Sequence, residues 1–152
     1  MTAYLDSSVA LRYILAGEVT IRHVLEYPRV ISSELLDIEC RRVIQRVRMH
    51  RELTDDGVVE AFRRLEGLLA GIDLMELSRE VKLRAAESFP VVVGTLDAFH
   101  IATALLWARD SAGEAGITEN VHVFSYDAAL NSCARTVGLT ARLEHHRRGS
   151  EA

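Results

Sequence analysis

Four carboxylates in this 152-residue chain fall at turns or on apolar faces, where a merely solvated acid is not expected. Asp6 ends the apolar stretch Ala3-Tyr4-Leu5 and precedes Ser7-Ser8, after which Val9, Leu11, Ile14 and Leu15 resume at helical spacing. An acid there can cap the helix, but Ser7 or Ser8 can do so equally well, so capping does not require Asp6. In SSELLDIECRRVIQRVRMH, Leu36, Cys40, Val43 and Val47 form a helical stripe, and Glu39 falls on it. A carboxylate facing a core is costly unless it is paired or metal-bound, so Glu39 reads as a buried ion pair, an edge residue or part of a site. Asp37 lies on another face, where pairing with Arg41 at i,i+4 accounts for it. In TLDAFHIATALLWA, Asp97 occupies the first turn behind Thr95 as N-cap, a place the helix dipole favours for an acid. Asp97 also aligns with Ile101, Ala104 and Leu105. His100, one turn on, reads more readily as a hydrogen-bonded core residue than as a ligand, because no His/Cys spacing supports a zinc site. In VFSYDAAL, Asp127 follows an apolar run as an N-cap and, like Asp6, lies past the end of a strand.

Converged at one place, Asp6, Glu39, Asp97 and Asp127 could not all stay ionised without a cation, because like charges raise one another's pKa. Oxygen donors without Cys or His suit Mg²⁺ or Mn²⁺, which keep waters and complete their shells with phosphate oxygens. The chemistry such a cluster implies is metal-assisted phosphoryl transfer or phosphodiester hydrolysis.

The elements that must position these residues alternate along the chain. Residues 2–6 read as a strand, 8–16 and 18–26 as short helices, and 29–32 as a second strand. Helices follow over 33–50 and 54–70, then a strand within 72–77 and a helix over 78–88. Phe89-Pro90 breaks that pattern before an apolar helix over 95–109. A loop over 110–120, a strand over 121–125, a helix over 127–137 ended by Gly138, and a strand within 139–143 complete the order. Alternation of this kind predicts an α/β fold with a parallel sheet, in which ligands gather beyond the carboxyl ends of the strands at a switch in strand order.

Composition sets the outer bounds. The length fits one domain, and the apolar fraction of 49% and charged fraction of 26% are ordinary for a globular chain. No apolar run approaches the roughly 18 residues of a membrane span, and no signal peptide is legible. Cys40 and Cys133 form no CxxC motif, which suits a reduced, cytoplasmic chain. The net charge of −4 gives no whole-protein case for nucleic-acid binding. Charge is uneven, however: Arg41, Arg42, Arg46, Arg48, His50 and Arg51 crowd one segment, and His145, His146, Arg147 and Arg148 lie near the end. The second group reads as a frayed tail; the first reads as a solvated helix face or as a surface for a phosphate backbone.

With the acids placed, the sequence resembles the PIN-domain proteins, specifically the VapC-type toxins of bacterial toxin–antitoxin pairs. YLDSSVALRYIL resembles the family's strand-ending Asp, Ser/Thr-Ser and apolar helix. ISSELLDIECRRV resembles its Ser-rich turn and the helix with an inward Glu, here Glu39. TLDAFHIATAL resembles its acid-led helix, here with Asp97, and VFSYDAALNSCARTVGL its closing strand, Ser/Thr-x-Asp and helix, with Ser125 and Asp127 in place. The resemblance covers residues 1–145, leaving 146–152 as a short mobile tail. It implies a five-stranded parallel sheet of order 3-2-1-4-5 flanked by helices. It also implies Mg²⁺- or Mn²⁺-dependent endoribonuclease activity on structured RNA such as tRNA or rRNA, homodimerisation, and inhibition by a small VapB-like antitoxin. The fourth acid varies in that family, and Asp110 is a weaker candidate than Asp127 for its role.

On this reading Asp6 and Asp97 hold the metal, and Glu39 and Asp127 complete the acidic cluster partly through water. Ser7 or Ser125 orients a carboxylate or a bound water. Arg41, Arg42 and Arg46 contact the RNA backbone or the antitoxin. A rival reading is a catalytically silent PIN-like module that binds RNA or protein. An aspartyl-phosphate enzyme of the haloacid-dehalogenase type is disfavoured, because it wants a second Asp where Ser8 stands; a receiver domain wants an acid pair before the first strand's Asp.

Overall fold

Five parallel strands in the order β3-β2-β1-β4-β5 form the centre of the molecule, the order that the family resemblance implies. The computed structural model describes residues 1–112 and 120–143. The basic group at 145–148, the expected tail and most of the 110–120 loop therefore lie outside the described residues. The elements are β1 (Thr2–Leu5), α1 (Ser7–Ala16), α2 (Ile21–Leu25), β2 (Arg29–Ser33), α3 (Leu35–Met49), α4 (Asp55–Ala70), β3 (Asp73–Met75), α5 (Arg79–Ala86), α6 (Thr95–Asp110), β4 (Val121–Phe124), α7 (Ala128–Thr136) and β5 (Thr140–Ala141).

The first strand is central. It pairs with β2 on one side (Tyr4 opposite Ile31) and β4 on the other (Leu5 opposite Phe124), and all four of its residues are buried. Burial on both faces is why it reads as a continuous apolar run rather than an alternating one. Its side chains still alternate between faces. Ala3 and Leu5 enter a core with Val9, Ile14, Leu36, Ile44 and Leu65 from α1, α3 and α4. Tyr4 enters the opposite core with Ile31, Ile101, Val123 and Leu130. The same parity assigns Asp6, two residues after Tyr4, to the side of the sheet that α6 covers.

Three local expectations shift. In α3 the buried stripe is Leu36, Cys40 and Ile44, with Val43 and Val47 only half-buried. Both α1 and α4 pack against this helix, and they draw the core-facing edge one residue round the helix. Glu39 accordingly flanks the stripe, its side chain 19% exposed. At α6 the N-cap is Gly94, whose carbonyl accepts from Ala98 N at 2.9 Å; Thr95 is the first helical residue. At α1 the cap is Asp6 itself, which accepts from Ser8 N. The helix stops at Gly17, held at φ 69 with its N–H on Tyr13 O at 2.8 Å, a left-handed position that glycine occupies without a Cβ penalty. The third and fifth strands are also shorter than their apolar runs, at three and two residues.

The shifted stripe has a measurable consequence. Removing the fully buried Ile44 side chain as Ala leaves a cavity and costs about 2–5 kcal/mol, whereas Val43→Ala costs under about 1.5 kcal/mol. Urea denaturation monitored by circular dichroism distinguishes the two; equal losses would place the stripe on Val43 instead.

Candidate functional site

Asp6 and Asp127 arrive at one edge of the sheet because β1 and β4 are neighbours in register. Asp6 N donates to Phe124 O at 3.0 Å, continuing the ladder one residue beyond both strands. The turn after β4 then folds back over the start of α1. Ser125 Oγ donates to Asp6 Oδ2 at 2.7 Å and accepts from Asp127 N at 2.9 Å. Ser8 Oγ donates to the same Asp6 oxygen at 2.6 Å and accepts from Tyr126 N at 2.9 Å. Two serines thus fix one oxygen of Asp6 and bind the turn that carries Asp127. Arg12 stacks over the Tyr126 ring, 3.6 Å from its centroid, and closes this turn from outside.

Asp6 is buried, and its other oxygen, Oδ1, lies 3.9 Å from His100 Nε2. The same nitrogen lies 2.6 Å from Glu39 Oε1. A carboxylate cannot donate, so the imidazole Nε2–H donates to Glu39. On its other side, His100 Nδ1 meets the Tyr4 hydroxyl at 2.6 Å, and that oxygen accepts from Ser33 N at 3.2 Å. A buried chain of contacts therefore runs from the backbone of β2 through Tyr4 and His100 to Glu39. The second Glu39 oxygen accepts from Ser7 Oγ at 3.1 Å. Burial alone would lower the His100 pKa. The Glu39 hydrogen bond and the charges of Asp6, Glu39 and Asp97 outweigh that and raise it. Burial, with a smaller push from the Asp6 charge, holds the Tyr4 hydroxyl protonated.

Asp97 lies one helical turn before His100, half-buried in the first turn of α6. Its carboxyl is pushed up to about 6, first by burial, then by the charges of Asp127 and Asp6, with His100 opposing and Glu39 adding. Three acids from three other segments therefore act on Asp97 at short enough range to resist its ionisation. Asp127 is the exposed member; its Oδ1 caps α7 by accepting from Leu130 N at 3.0 Å. Asp110 lies at the far end of α6, about 20 Å along the axis from Asp97, and is bonded to Arg109.

The basic candidates separate. Arg41 is held by Asp37 at 2.7 Å and Glu66 at 2.6 Å, the first being the expected i,i+4 pair. Arg42 and Arg46 are exposed and make no ion pair with the described residues. Sequence reasoning named His100 only as a core residue and passed over Ser8 and Tyr4. The spacing of Tyr4 from Asp6 and of His100 from Asp97 was visible, but their meeting across the sheet was not. Cys40, next to Glu39, is no nucleophile: burial and then the Glu39 charge push its thiol up to about 12.

Among the described residues no three His, Cys, Asp or Glu side chains are grouped tightly enough to enclose a metal ion by themselves. The donors are nevertheless all oxygen, and a hard cation such as Mg²⁺ is ordinarily held by one or two carboxylates, with water and phosphate filling the rest. The residues present fit a cation held by Asp6 and Asp97 in that open manner. A cleft of about 580 Å³ lies between α5 and the start of α6, lined by Phe89, Val91, Val93 and Phe99 among others. Its walls are largely apolar, with Lys82, Glu87, Ser88 and Thr95 among them, and carry none of the four acids.

A family model described as the PIN domain matches residues 3–135. No curated protein matches the chain in sequence. Among solved structures, the chain is similar to a member of the VapBC family of toxin–antitoxin systems, VapBC-5, from Mycobacterium tuberculosis. The TM-score is 0.59 at 16% identity, with 93% of this chain and 95% of that one covered.

The strained ionisation of Asp97 is testable. Its carboxyl stays protonated in the folded state up to about pH 6 but ionises near the usual value when unfolded. The folded state therefore binds more protons in that window, and stability falls as pH rises from about 4 through about 6. After discount for solvent screening the penalty at neutral pH is about 1 kcal/mol. Asp97→Asn removes it, so the variant melts about 2–4 °C higher than the parent at pH 7, with the difference vanishing below about pH 4. A lower melting temperature at pH 7 would make Asp97 a structural cap instead.

Proposed function

Since the chain belongs to the PIN-domain family, we propose that it is a Mg²⁺- or Mn²⁺-dependent endoribonuclease and the toxin of a toxin–antitoxin pair. One observation carries the reading: Asp6 from β1 and Glu39 from α3 share His100 Nε2, one helical turn from Asp97. A structural role for so many acids would call for cationic partners, and His100 is the only basic side chain paired with Asp6 or Glu39 among the described residues.

When bound, the cation would supply an activated water and offset charge on the scissile phosphate. Asp6, its Oδ2 fixed by Ser8 and Ser125, presents Oδ1, and Asp97 presents its carboxylate from the helix start. Glu39, held by His100 and Ser7, is aimed without being free to swing. It would accept a proton from the attacking water and become the neutral acid, with His100 stabilising the carboxylate before that transfer. Asp127 adds negative potential from the rim. Ser7 and Ser125 act on the carboxylates they bond rather than on substrate.

The likeness to VapBC-5 supports reading a VapB-like antitoxin as the partner. Homodimerisation and a cytoplasmic location accompany that proposal. Among the described residues no helix is long and apolar enough to cross a membrane, and Cys40 and Cys133 are buried free thiols. The substrate proposed is cellular RNA of the tRNA or rRNA class.

The purified chain, freed of any bound antitoxin, should cut total RNA in Mg²⁺ or Mn²⁺ and stop in EDTA. Asp6→Asn and Asp97→Asn should abolish cleavage, and Ser125→Ala should lower it about 10–100-fold. Cleavage that is equal across these variants and in EDTA would refute the assignment.

A further inference from the structure

Several arginines on the described surface are neutralised by acids of their own neighbourhood. Arg41 is held by Asp37 and Glu66, Arg63 and Arg64 by Glu60, Arg29 by Asp73, and Arg109 by Glu80 and Asp110. Arg42 and Arg46 make no such pair, and unlike the other unpaired arginines among the described residues (Arg22, Arg48, Arg51, Arg79 and Arg142) they share a helix face with Glu39. Both are exposed, and neither makes an ion pair with a described residue. They lie on the same helix as Glu39, three and seven residues further on, a spacing that returns to the same face. His50, at the C-cap of α3, continues the line. Together with Gln45 and Met49 these side chains border a groove of about 290 Å³ along the outer face of α3. Met49, 82% exposed, and the half-buried Val43 give the groove an apolar margin.

The geometry of this line is that of a one-sided track. It starts at an acid of the candidate site and runs roughly 16 Å along the helix axis to His50. Its two arginines are separated by about 6 Å of rise, so two cations are presented in sequence rather than as one cluster. On a chain of net charge −4, a row of unneutralised arginines beside an acidic cluster creates a dipolar surface. Such a surface admits a polyanion only along the basic side and lets it meet the acids only at one end. A guanidinium pairs with phosphate through a fixed fork, and no acid here competes for it. Only Gln45 and His50 line the groove as side chains able to meet a base, so the track engages a strand mainly through its phosphates.

We propose that the outer face of α3 binds the backbone of single-stranded RNA, with Arg42 and Arg46 on successive phosphates to one side of the scissile bond. The proposal rests on the ribonuclease reading for the identity of the polyanion. It adds that the strand leaves the acidic cluster along α3 and that contacts on that flank dominate affinity.

The test uses the full chain and a fluorescein-labelled single-stranded RNA oligonucleotide in EDTA, so that binding is read without cleavage. Anisotropy is followed from low to moderate salt. Each phosphate contact contributes about 0.7 to the slope of log K against log salt for a single strand. The double variant Arg42→Gln/Arg46→Gln should therefore flatten the slope by about 1.4 and weaken binding on the order of tenfold at low salt. Arg63→Gln on α4, already paired with Glu60, should change neither. Melting curves of the surface variants should match the parent. In Mg²⁺, oligonucleotides extended on only one side of the cut site should retain full kcat/KM, and those extended on the other side should lose it. An unchanged slope in the double variant overturns the track even if the chain cuts RNA. A flattened slope with no cleavage in metal upholds the track and overturns the nuclease reading. Failure of the parent to bind RNA at low salt also overturns the track and leaves the face to a protein partner.

Discussion

Electrostatic repulsion among carboxylates is the constraint around which the C-terminal edge of this sheet is organised. Isolated acids at strand ends would turn toward water and away from one another. Here Asp6 is buried, and its Oδ2 is locked by two serine hydroxyls. Glu39 is held by His100 and Ser7. Each hydrogen bond to a carboxylate is stronger than a neutral one and favours the charged form. Asp97 has no such hydrogen bond among the described residues, and its pKa is raised first by burial and then by the charges of Asp127 and Asp6. A half-buried carboxyl that resists ionisation in this way is one that a bound cation would relieve.

The rest of the fold serves this placement. The central position of β1 lets β2 and β4 flank it, so that elements following each strand reach the same edge. Tyr4 crosses to the α6 side of the sheet and anchors His100 in the core, while Leu5 packs on the α1 side. A buried polar chain is tolerated there because its members have partners: Ser33 N to Tyr4, Tyr4 to His100, His100 to Glu39.

Much of this was legible in the sequence, and the remainder failed for identifiable reasons. Asp6 and Asp127 stood out because an acid directly follows a buried run. The α/β alternation and the family resemblance pointed to the observed strand order. Glu39 was singled out by a stripe drawn one residue off. Val43 and Ile44 are adjacent and both apolar, so only the position of α4 decides between them. Thr95 is a better cap by composition than Gly94, but the backbone turns at the glycine. The Tyr4–His100–Glu39 chain was beyond reach, because its members are 96 and 61 residues apart and their meeting depends on strand register. The neutralisation of Arg41, leaving Arg42 and Arg46 unpaired, depended in the same way on where Glu66 of α4 comes to rest.

The sequence separation of the paired strands β1 and β4 has a consequence for the order of events in synthesis. Asp6 leaves the ribosome 119 residues before Ser125, which fixes its oxygen. At about 5–20 residues per second, β1 waits several seconds for β4. Until then its second edge is open and Asp6 and Asp127 cannot approach. The site is thus completed only once the segment that carries β4 and Ser125 has emerged. A protein that cuts RNA would gain an intrinsic delay, remaining inert while still attached to the messenger and ribosome that are making it.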